Sequence, residues 1–127
     1  MKNIEQVDKN FLSASGESAV EGNFLPVVAG GLFQVEGLPF WEQDKVFCRL
    51  PQARISQFSE GVQWLCWHTA GAKVRFRTDS PVVAIRVKLR EIPAMNHMPH
   101  TGSSGFDLFC GTGRDRRYVA TGRPVNG

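Results

Sequence analysis

The clearest pattern in the chain is an alternation of apolar and basic residues in two neighbouring segments, Lys73–Thr78 and Val82–Arg90. Because successive side chains of a β-strand point to opposite faces, this period of two predicts two strands, each with one buried face. The intervening Asp79-Ser80-Pro81 is a turn sequence, so the two strands are predicted to pair as a hairpin. The inward-facing residues of the second strand would be Val83, Ile85, Val87 and Leu89.

The outer face of this predicted hairpin collects six cations. They are Lys73, Arg75, Arg77, Arg86, Lys88 and Arg90. Such a face is typical of a solvated surface on which long basic side chains cover apolar atoms. It would also suit an anion, an acidic polymer or an acidic partner domain. No aromatic residue is interleaved with the cations on this face, so the stacking surface of single-strand nucleic-acid binders is missing.

Further short strands are predicted along the rest of the chain. Gln63–Thr69 carries large apolar residues on both of its faces, which is typical of a central strand covered on both sides. The remaining predicted strands are Leu32–Val35, Lys45–Leu50, Phe106–Cys110 and Tyr118–Thr121. About seven short strands, frequent turn residues and no convincing amphipathic helix predict an all-β fold, namely an antiparallel, jelly-roll-like β-sandwich.

The predicted strands also suggest how the chain is divided. The first 20 residues are polar and weakly patterned, so we expect an N-terminal arm over residues 1–30 and a β-sandwich domain over residues 31–127. A chain of 127 residues is long enough for one domain with one core. Within the domain, Gln52–Ser59 is predicted to be a connector and Gly111–Arg117 the loop of the last hairpin.

Composition narrows the function classes. Fifteen basic and twelve acidic residues give a net charge of +3, which is too small to indicate nucleic-acid binding. The three cysteines form no Cys-x-x-Cys pair, which favours free thiols and leaves one disulfide open. The chain has no apolar run of about 18 residues for a membrane span. We therefore expect no nucleic acid and no membrane as partners. The N-terminus resembles no signal peptide, so the compartment is cytoplasmic, or outside the cytoplasm if a signal was removed.

Residues suited to binding or catalysis are concentrated in Met95–Phe109. This segment is predicted to be a strand end, a long loop with two His, one Asn and two Ser, and a new strand. In that strand Asp107 and Phe109 share one face. Because a buried bare carboxylate is costly, Asp107 needs a partner or water. It is expected either to close the loop by accepting backbone N–H hydrogen bonds or to belong to a functional site.

A complete catalytic or metal-binding set is not evident in the sequence. Ser103 and Ser104 lie near two histidines and Asp107, but catalytic triads are assembled from distant segments, so proximity within one loop is weak support. No Gly-x-Ser-x-Gly elbow occurs. The residues of a conceivable metal site are His68, His97, His100 and Asp107, whose spacing fits no common ligand pattern. No catalytic residue, metal ligand or cofactor is therefore predicted.

Three short motifs, taken in order, resemble the small domain found upstream of SGNH/GDSL-type esterases. They are Arg-Phe-Arg-Thr-Asp-Ser-Pro at Arg75–Pro81, Met-Asn-His-Met-Pro at Met95–Pro99, and Gly-Phe-Asp-Leu-Phe at Gly105–Phe109. The last is similar to the Gly-x-Asp-Leu-Tyr motif of that domain. Phe109 stands in the place of the Tyr, so the aromatic ring is kept and the hydroxyl is lost. The resemblance covers about residues 45–124 of the chain.

The resemblance implies a jelly-roll-like β-sandwich packed against a following α/β hydrolase domain that holds the catalytic residues. Enzymes of this family are esterases, some of which deacetylate carbohydrates. The chain would then be a non-catalytic accessory domain, a fragment of a longer SGNH-type esterase. Its partners would be the C-terminal catalytic domain of the same protein and an acylated carbohydrate substrate. The motif residues expected at a cleft or interface are Asn96, His97, Met98, Gly105, Asp107 and Leu108.

The main alternative is a free-standing, glycan-binding β-sandwich module. Its ligand would contact the cationic hairpin face or the exposed rings of Trp41, Trp64 and Trp67, because carbohydrate sites combine rings with hydrogen-bonding loops. If all three tryptophans were buried, they would be core residues instead. A minimal enzyme using Ser103 or Ser104 is the remaining alternative.

Overall fold

The computed structural model describes residues 11–13, 24–28, 30–91 and 96–123. In chain order, the strands are β1 (Phe11–Ser13), β2 (Gln34–Glu36), β3 (Lys73–Arg75), β4 (Phe106–Cys110) and β5 (Arg117–Arg123). The α-helices are α1 (Trp41–Asp44), α2 (Glu60–Leu65) and α3 (His100–Ser104), and 3₁₀ helices span Gln52–Gln57 and Gly113–Asp115. The strands form two small sheets, so the fold is rich in short strands with little helix.

The chain forms two compact units. One, here called the 24–83 unit, is Phe24–Val83, and the other, the 84–127 unit, consists of Ala84–Gly127 together with Met1–Asn23. The predicted division into an arm over residues 1–30 and a domain over 31–127 stays a prediction. β1 lies in the sequence of that arm, but residues 1–10, 14–23 and 29 fall outside the described part.

The 24–83 unit has a small core next to helix α1. Its buried apolar side chains are Leu38, Trp41, Cys48 and Cys66. The ring of Trp41 packs against the ring of Phe47 at a centroid distance of 5.0 Å. Cys48 and Cys66 are both free thiols, as the odd cysteine count favoured. Helix α1 is followed by its C-cap residue Lys45, which adopts a left-handed conformation with φ of 51°.

Arg49 joins the segment after α1 to the segment after α2. Its backbone N–H donates to the carbonyl of Cys66 at 2.9 Å. Its guanidinium donates through Nε to the carbonyl of His68 at 2.7 Å and through Nη2 to the carbonyl of Ala70 at 2.8 Å. One side chain thus satisfies two carbonyls in a turn that has no regular secondary structure.

Replacing Arg49 with methionine should lower the free energy of unfolding by about 1 kcal/mol, because two hydrogen bonds at an exposed position are lost while the apolar stem is kept. Urea unfolding followed by tryptophan fluorescence would measure the change. The matched control is Arg54→Met, the same substitution at an exposed arginine of the 3₁₀ helix Gln52–Gln57. Equal losses in the two variants would contradict a bridging role for Arg49.

The predictions of two strands in the 24–83 unit are wrong. Gln63–Thr69 is not a strand, because residues 60–65 form helix α2 and turns follow it. The helix is favoured by Glu60 in its first turn, where an acid stabilises the N-terminal end of the helix dipole. Trp64 and His68, four residues apart, make an edge-to-face ring contact at 4.3 Å. Lys45–Leu50 likewise consists of bends and irregular backbone instead of a strand.

The predicted hairpin between Lys73–Thr78 and Val82–Arg90 is also wrong. Only Lys73–Arg75 is a strand, and it pairs antiparallel with β2 in the register Val35 opposite Val74. Arg75 additionally forms a salt bridge with Glu36 on β2, at 2.8 Å. Residues 82–90 carry no strand, and the side chains predicted to point inward at Val83, Ile85 and Val87 are exposed. The cationic hairpin face therefore does not form.

In the 84–127 unit, the sheet order is β1-β5-β4. β1 runs parallel to β5, with Phe11 opposite Thr121, and β4 runs antiparallel to β5. The strand predicted at Phe106–Cys110 is confirmed, and the last predicted strand is present as β5. The connection between them, predicted as a loop over residues 111–117, contains the short 3₁₀ helix Gly113–Asp115. β4 and β5 therefore form the terminal hairpin that the sequence predicted.

Candidate functional site

The family-like motif begins at the junction between α3 and β4. Residues 100–104, predicted to be part of a loop, form helix α3, whose first turn is closed by hydrogen bonds from the N–H groups of Gly102 and Ser103 to the carbonyl of Pro99. Asn96, His97 and Met98 precede this helix at exposed turn and bend positions. Residues 92–95 lie outside the described part, so the structure shows only the second half of this segment.

Gly105 connects α3 to β4 in a position with no room for a side chain. A Cβ atom there would lie 2.1 Å from the carbonyl oxygen of Thr101. That same oxygen accepts a hydrogen bond from the N–H of Gly105 at 3.0 Å. Real Cβ atoms essentially never come within 3.0 Å of a backbone atom, so the glycine is required by space, and its φ of −81° is accessible to any residue.

A β-bulge sets which side chains of the hairpin share a face. Asp107 pairs with Thr121 and Leu108 with Ala120, but Phe109 pairs with Tyr118, so Val119 is an extra residue on β5. A bulge reverses the alternation of the strand that contains it. Tyr118 and Thr121, three residues apart, therefore project from the same face as Phe109 and Asp107. We call Asp107, Phe109, Tyr118 and Thr121 the β4–β5 face.

Asp107 is held on this face by a chain of side-chain hydrogen bonds. The hydroxyl of Thr121 donates to Oδ1 of Asp107 at 2.6 Å, and the hydroxyl of Tyr118 lies 2.8 Å from Oγ1 of Thr121. A threonine hydroxyl has one proton, which is used toward Asp107, so Tyr118 must donate to Thr121. The partner of Asp107 is thus a side chain of β5, and not the loop N–H groups considered from the sequence.

The two aromatic side chains of the face make an edge-to-face pair and remain open to solvent. The ring centroids of Phe109 and Tyr118 are 5.8 Å apart with an interplanar angle of 73°. Phe109 is 55% exposed and Tyr118 is 46% exposed. Phe109 occupies the place of the motif tyrosine, and its ring contact with Tyr118 needs no hydroxyl. The face therefore combines exposed rings with a carboxylate in a fixed position.

The structure does not join the residues of a catalytic triad. Oγ of Ser103 lies 3.4 Å from the carbonyl of His100 and 3.5 Å from Oγ of Ser104. Asp107 is bonded to Thr121 instead of an imidazole. Among the residues described, no group of three or more His, Cys, Asp or Glu side chains could hold a metal ion. Within the same residues, no helix is long and apolar enough to cross a membrane.

The three tryptophans lie in the 24–83 unit and differ in exposure. Trp41 is 5% exposed and belongs to the core, whereas Trp64 on α2 is 46% exposed. Trp67, in the turn after α2, is half-buried. A ligand could reach the ring of Trp64 far more readily than that of Trp41. Glycan binding by the tryptophans stays a prediction.

The sequence singled out Gly105, Asp107 and Leu108 as candidate site residues, which stays a prediction, and it did not single out Tyr118 and Thr121. Leu108 is half-buried, in the face opposite Asp107. Strict alternation would place Tyr118 and Thr121 on opposite faces, and the bulge that unites them leaves no mark in a single sequence. Their only sequence signal is their position on the strand predicted to pair with Phe106–Cys110.

Comparison with known families agrees with these motifs. The family model that matches, over residues 29–126, is described as "GxDLY: N-terminus of Esterase_SGNH_hydro-type". The chain belongs to this family of N-terminal domains of SGNH hydrolase-type esterases, which confirms the resemblance seen in the sequence. Gly105, Asp107 and Leu108 supply the motif letters, and Phe109 replaces the tyrosine. No curated protein and no solved structure matches the chain.

Proposed function

We propose that this chain is a non-catalytic accessory domain of an SGNH-type esterase, which packs on the catalytic domain and assists binding of an acylated carbohydrate. The observation that carries the proposal is the hydrogen bonding of Asp107. The only acid of the family motif is engaged by Thr121 on the neighbouring strand, and the nearby serines contact a carbonyl and each other. Such an arrangement stabilises a hairpin and leaves no activated nucleophile.

Surface composition supports a role in docking to another domain. Among residues 84–91 and 96–122 of the 84–127 unit, Ser104 is the one buried residue. Apolar side chains such as Phe109 and Val119 remain exposed. Exposed apolar surface is characteristic of interaction sites. The jelly-roll-like β-sandwich is part of this proposal, supported by the two sheets and by membership of the family.

The 127-residue chain should show no turnover of an aryl acetate above the uncatalysed rate, because Ser103 and Ser104 contact a carbonyl and each other and neither is activated by a base. A longer chain in which an SGNH catalytic domain follows it should hydrolyse the same ester. Release of the aryl alcohol, followed by absorbance, measures both. Turnover by the 127-residue chain that a Ser103→Ala/Ser104→Ala variant abolishes would overturn the proposal in favour of a minimal enzyme.

A second candidate, a glycan-binding module, is favoured by one observation. Trp64 presents 46% of its surface on α2, and its edge-to-face contact with His68 fixes the ring. Preorganised exposed rings lower the entropic cost of binding. This candidate predicts that a glycan binds at Trp64 in the absence of any catalytic domain. The sugar titration of the 127-residue chain described below tests this.

A further inference from the structure

The polar atoms of the β4–β5 face are left with acceptor capacity only. The hydroxyl protons of Thr121 and Tyr118 are used within the chain of hydrogen bonds. Oδ2 of Asp107 accepts no hydrogen bond from the described part of the chain. Because a carboxylate offers about four acceptor positions and a phenol oxygen can still accept, the face suits a ligand that donates hydrogen bonds. Donors of this kind are hydroxyl groups or cations.

The surrounding charge distinguishes between these two kinds of donor. The hairpin Phe106–Arg123 carries two acids, Asp107 and Asp115, and four arginines, Arg114, Arg116, Arg117 and Arg123, so it has two more positive than negative charges. A cationic ligand would be repelled by the arginines. A neutral polyhydroxylated ligand avoids this repulsion and can still donate to the carboxylate in a charge-assisted hydrogen bond.

The rings supply the apolar part of such a site. The exposed surfaces of Phe109 and Tyr118 lie next to Asp107 on the same face, so a ligand with an apolar side and hydroxyl groups at its edge could contact both. Beside the turn, an open depression of about 370 Å³ is bordered by Tyr118, the one residue of the face that lines it, together with Arg117 and Val119.

We propose that the β4–β5 face is a binding subsite for a neutral sugar ring. The apolar side of the sugar packs on Phe109 and Tyr118, and one of its hydroxyl groups donates to Oδ2 of Asp107. Thr121 positions the carboxylate and Tyr118 positions Thr121. The subsite deepens the proposed function, on which it rests for its biological role, because it names the surface through which the accessory domain would hold a carbohydrate.

The test uses the 127-residue chain labelled with ¹⁵N and the neutral trisaccharides cellotriose and xylotriose as probes. Amide shifts should change at residues 107, 109, 118 and 121 for at least one trisaccharide, with little dependence on salt concentration. Phe109→Leu should weaken binding roughly two- to tenfold, the equivalent of one aromatic contact. Asp107→Asn, which keeps an acceptor for Thr121, should weaken it roughly three- to tenfold.

The matched control is Phe58→Leu, the same change at a ring that is 40% exposed in the 24–83 unit, and it should leave binding unchanged. The amide shifts of the unsubstituted chain show by themselves whether a trisaccharide binds at the β4–β5 face, so the test holds even where a substitution impairs folding. No shift with either trisaccharide would overturn the subsite. Shifts centred on Trp64 and abolished by Trp64→Leu would overturn it in favour of the glycan-binding module. Tighter binding of choline than of both sugars would show a cation site and would also overturn it.

The failure of this subsite is distinguishable from the failure of the accessory role. Aryl acetate contains no sugar, so turnover by the 127-residue chain overturns the accessory role whatever the shift map shows. Conversely, an unchanged shift map overturns the subsite but not the accessory role. The accessory role still stands if only the longer chain, with its catalytic domain, hydrolyses the aryl acetate.

Discussion

Replacing Trp41 with alanine should lower the free energy of unfolding by about 3–5 kcal/mol, because a large buried ring is lost and leaves a cavity. The side chain is 5% exposed, and it packs on Phe47 in a core that has few other buried residues. The ammonium group of Lys45 also lies 5.7 Å from the centre of the Trp41 ring. Urea unfolding, followed by the fluorescence of the two remaining tryptophans, measures the loss.

The control for this prediction is Trp64→Ala in the same unit. Because Trp64 is 46% exposed, its removal should cost under about 1 kcal/mol, mostly from the lost contact with His68. Equal losses for the two variants would show that Trp41 is not the centre of the core. A small loss at Trp41 would also make its ring a better candidate for ligand binding than the structure indicates.

Replacing Gly105 with alanine should lower the free energy of unfolding by about 3 kcal/mol, because the new methyl group would overlap the carbonyl of Thr101 and force the backbone apart. The loss should appear as a lower midpoint in urea, followed by far-UV circular dichroism. Amide hydrogen exchange should also become faster in β4, which begins at this junction, and in β5, which pairs with β4. The family glycine would then be explained by space at the junction of α3 and β4.

The matched control is Gly61→Ala within helix α2. A Cβ atom at residue 61 would meet nothing within 4 Å, and alanine favours helix over glycine by about 1 kcal/mol, so this variant should be slightly more stable than the parent. A neutral result for Gly105→Ala, beside a gain for Gly61→Ala, would mean that the junction can shift at little cost. The motif glycine would then need another explanation.

The residues of the family motif have separate physical roles in this chain. Gly105 provides space for the turn, Asp107 accepts a hydrogen bond across the strand pair, and Phe109 contacts the ring of Tyr118. These roles together hold the β4–β5 face in one geometry, and a binding surface on paired strands is more rigid than one on loops. The replacement of the motif tyrosine by Phe109 is compatible with this arrangement, because the ring contact uses no hydroxyl.

The sequence alone determined the family and the terminal hairpin, and it favoured free cysteines while leaving one disulfide open. The motif Gly-Phe-Asp-Leu-Phe is one glycine followed directly by a strand, and the Gly-rich turn after Cys110 is local, so neither depends on distant residues. Gly111, with φ of +106° and no room for a Cβ atom beside Asp115, is a further local signal of that turn. Neighbouring residues were sufficient to predict strand pairing where the partner strand follows directly along the chain, as in the β4–β5 hairpin.

Only the tertiary structure decided which alternating segments become strands and which side chains meet. Lys73–Arg75 pairs with β2, where Arg75 contacts Glu36, 39 residues earlier in the chain. Residues 82–90 form no strand despite the stronger pattern. Gln63–Leu65 is helical because its neighbours include the first turn that begins at Glu60. The bulge at Val119 then places Tyr118 and Thr121 beside Asp107. The physical reason is that alternation of apolar and polar residues is a property of a single segment. Strand pairing and register depend also on a second segment, which the tertiary structure places beside the first.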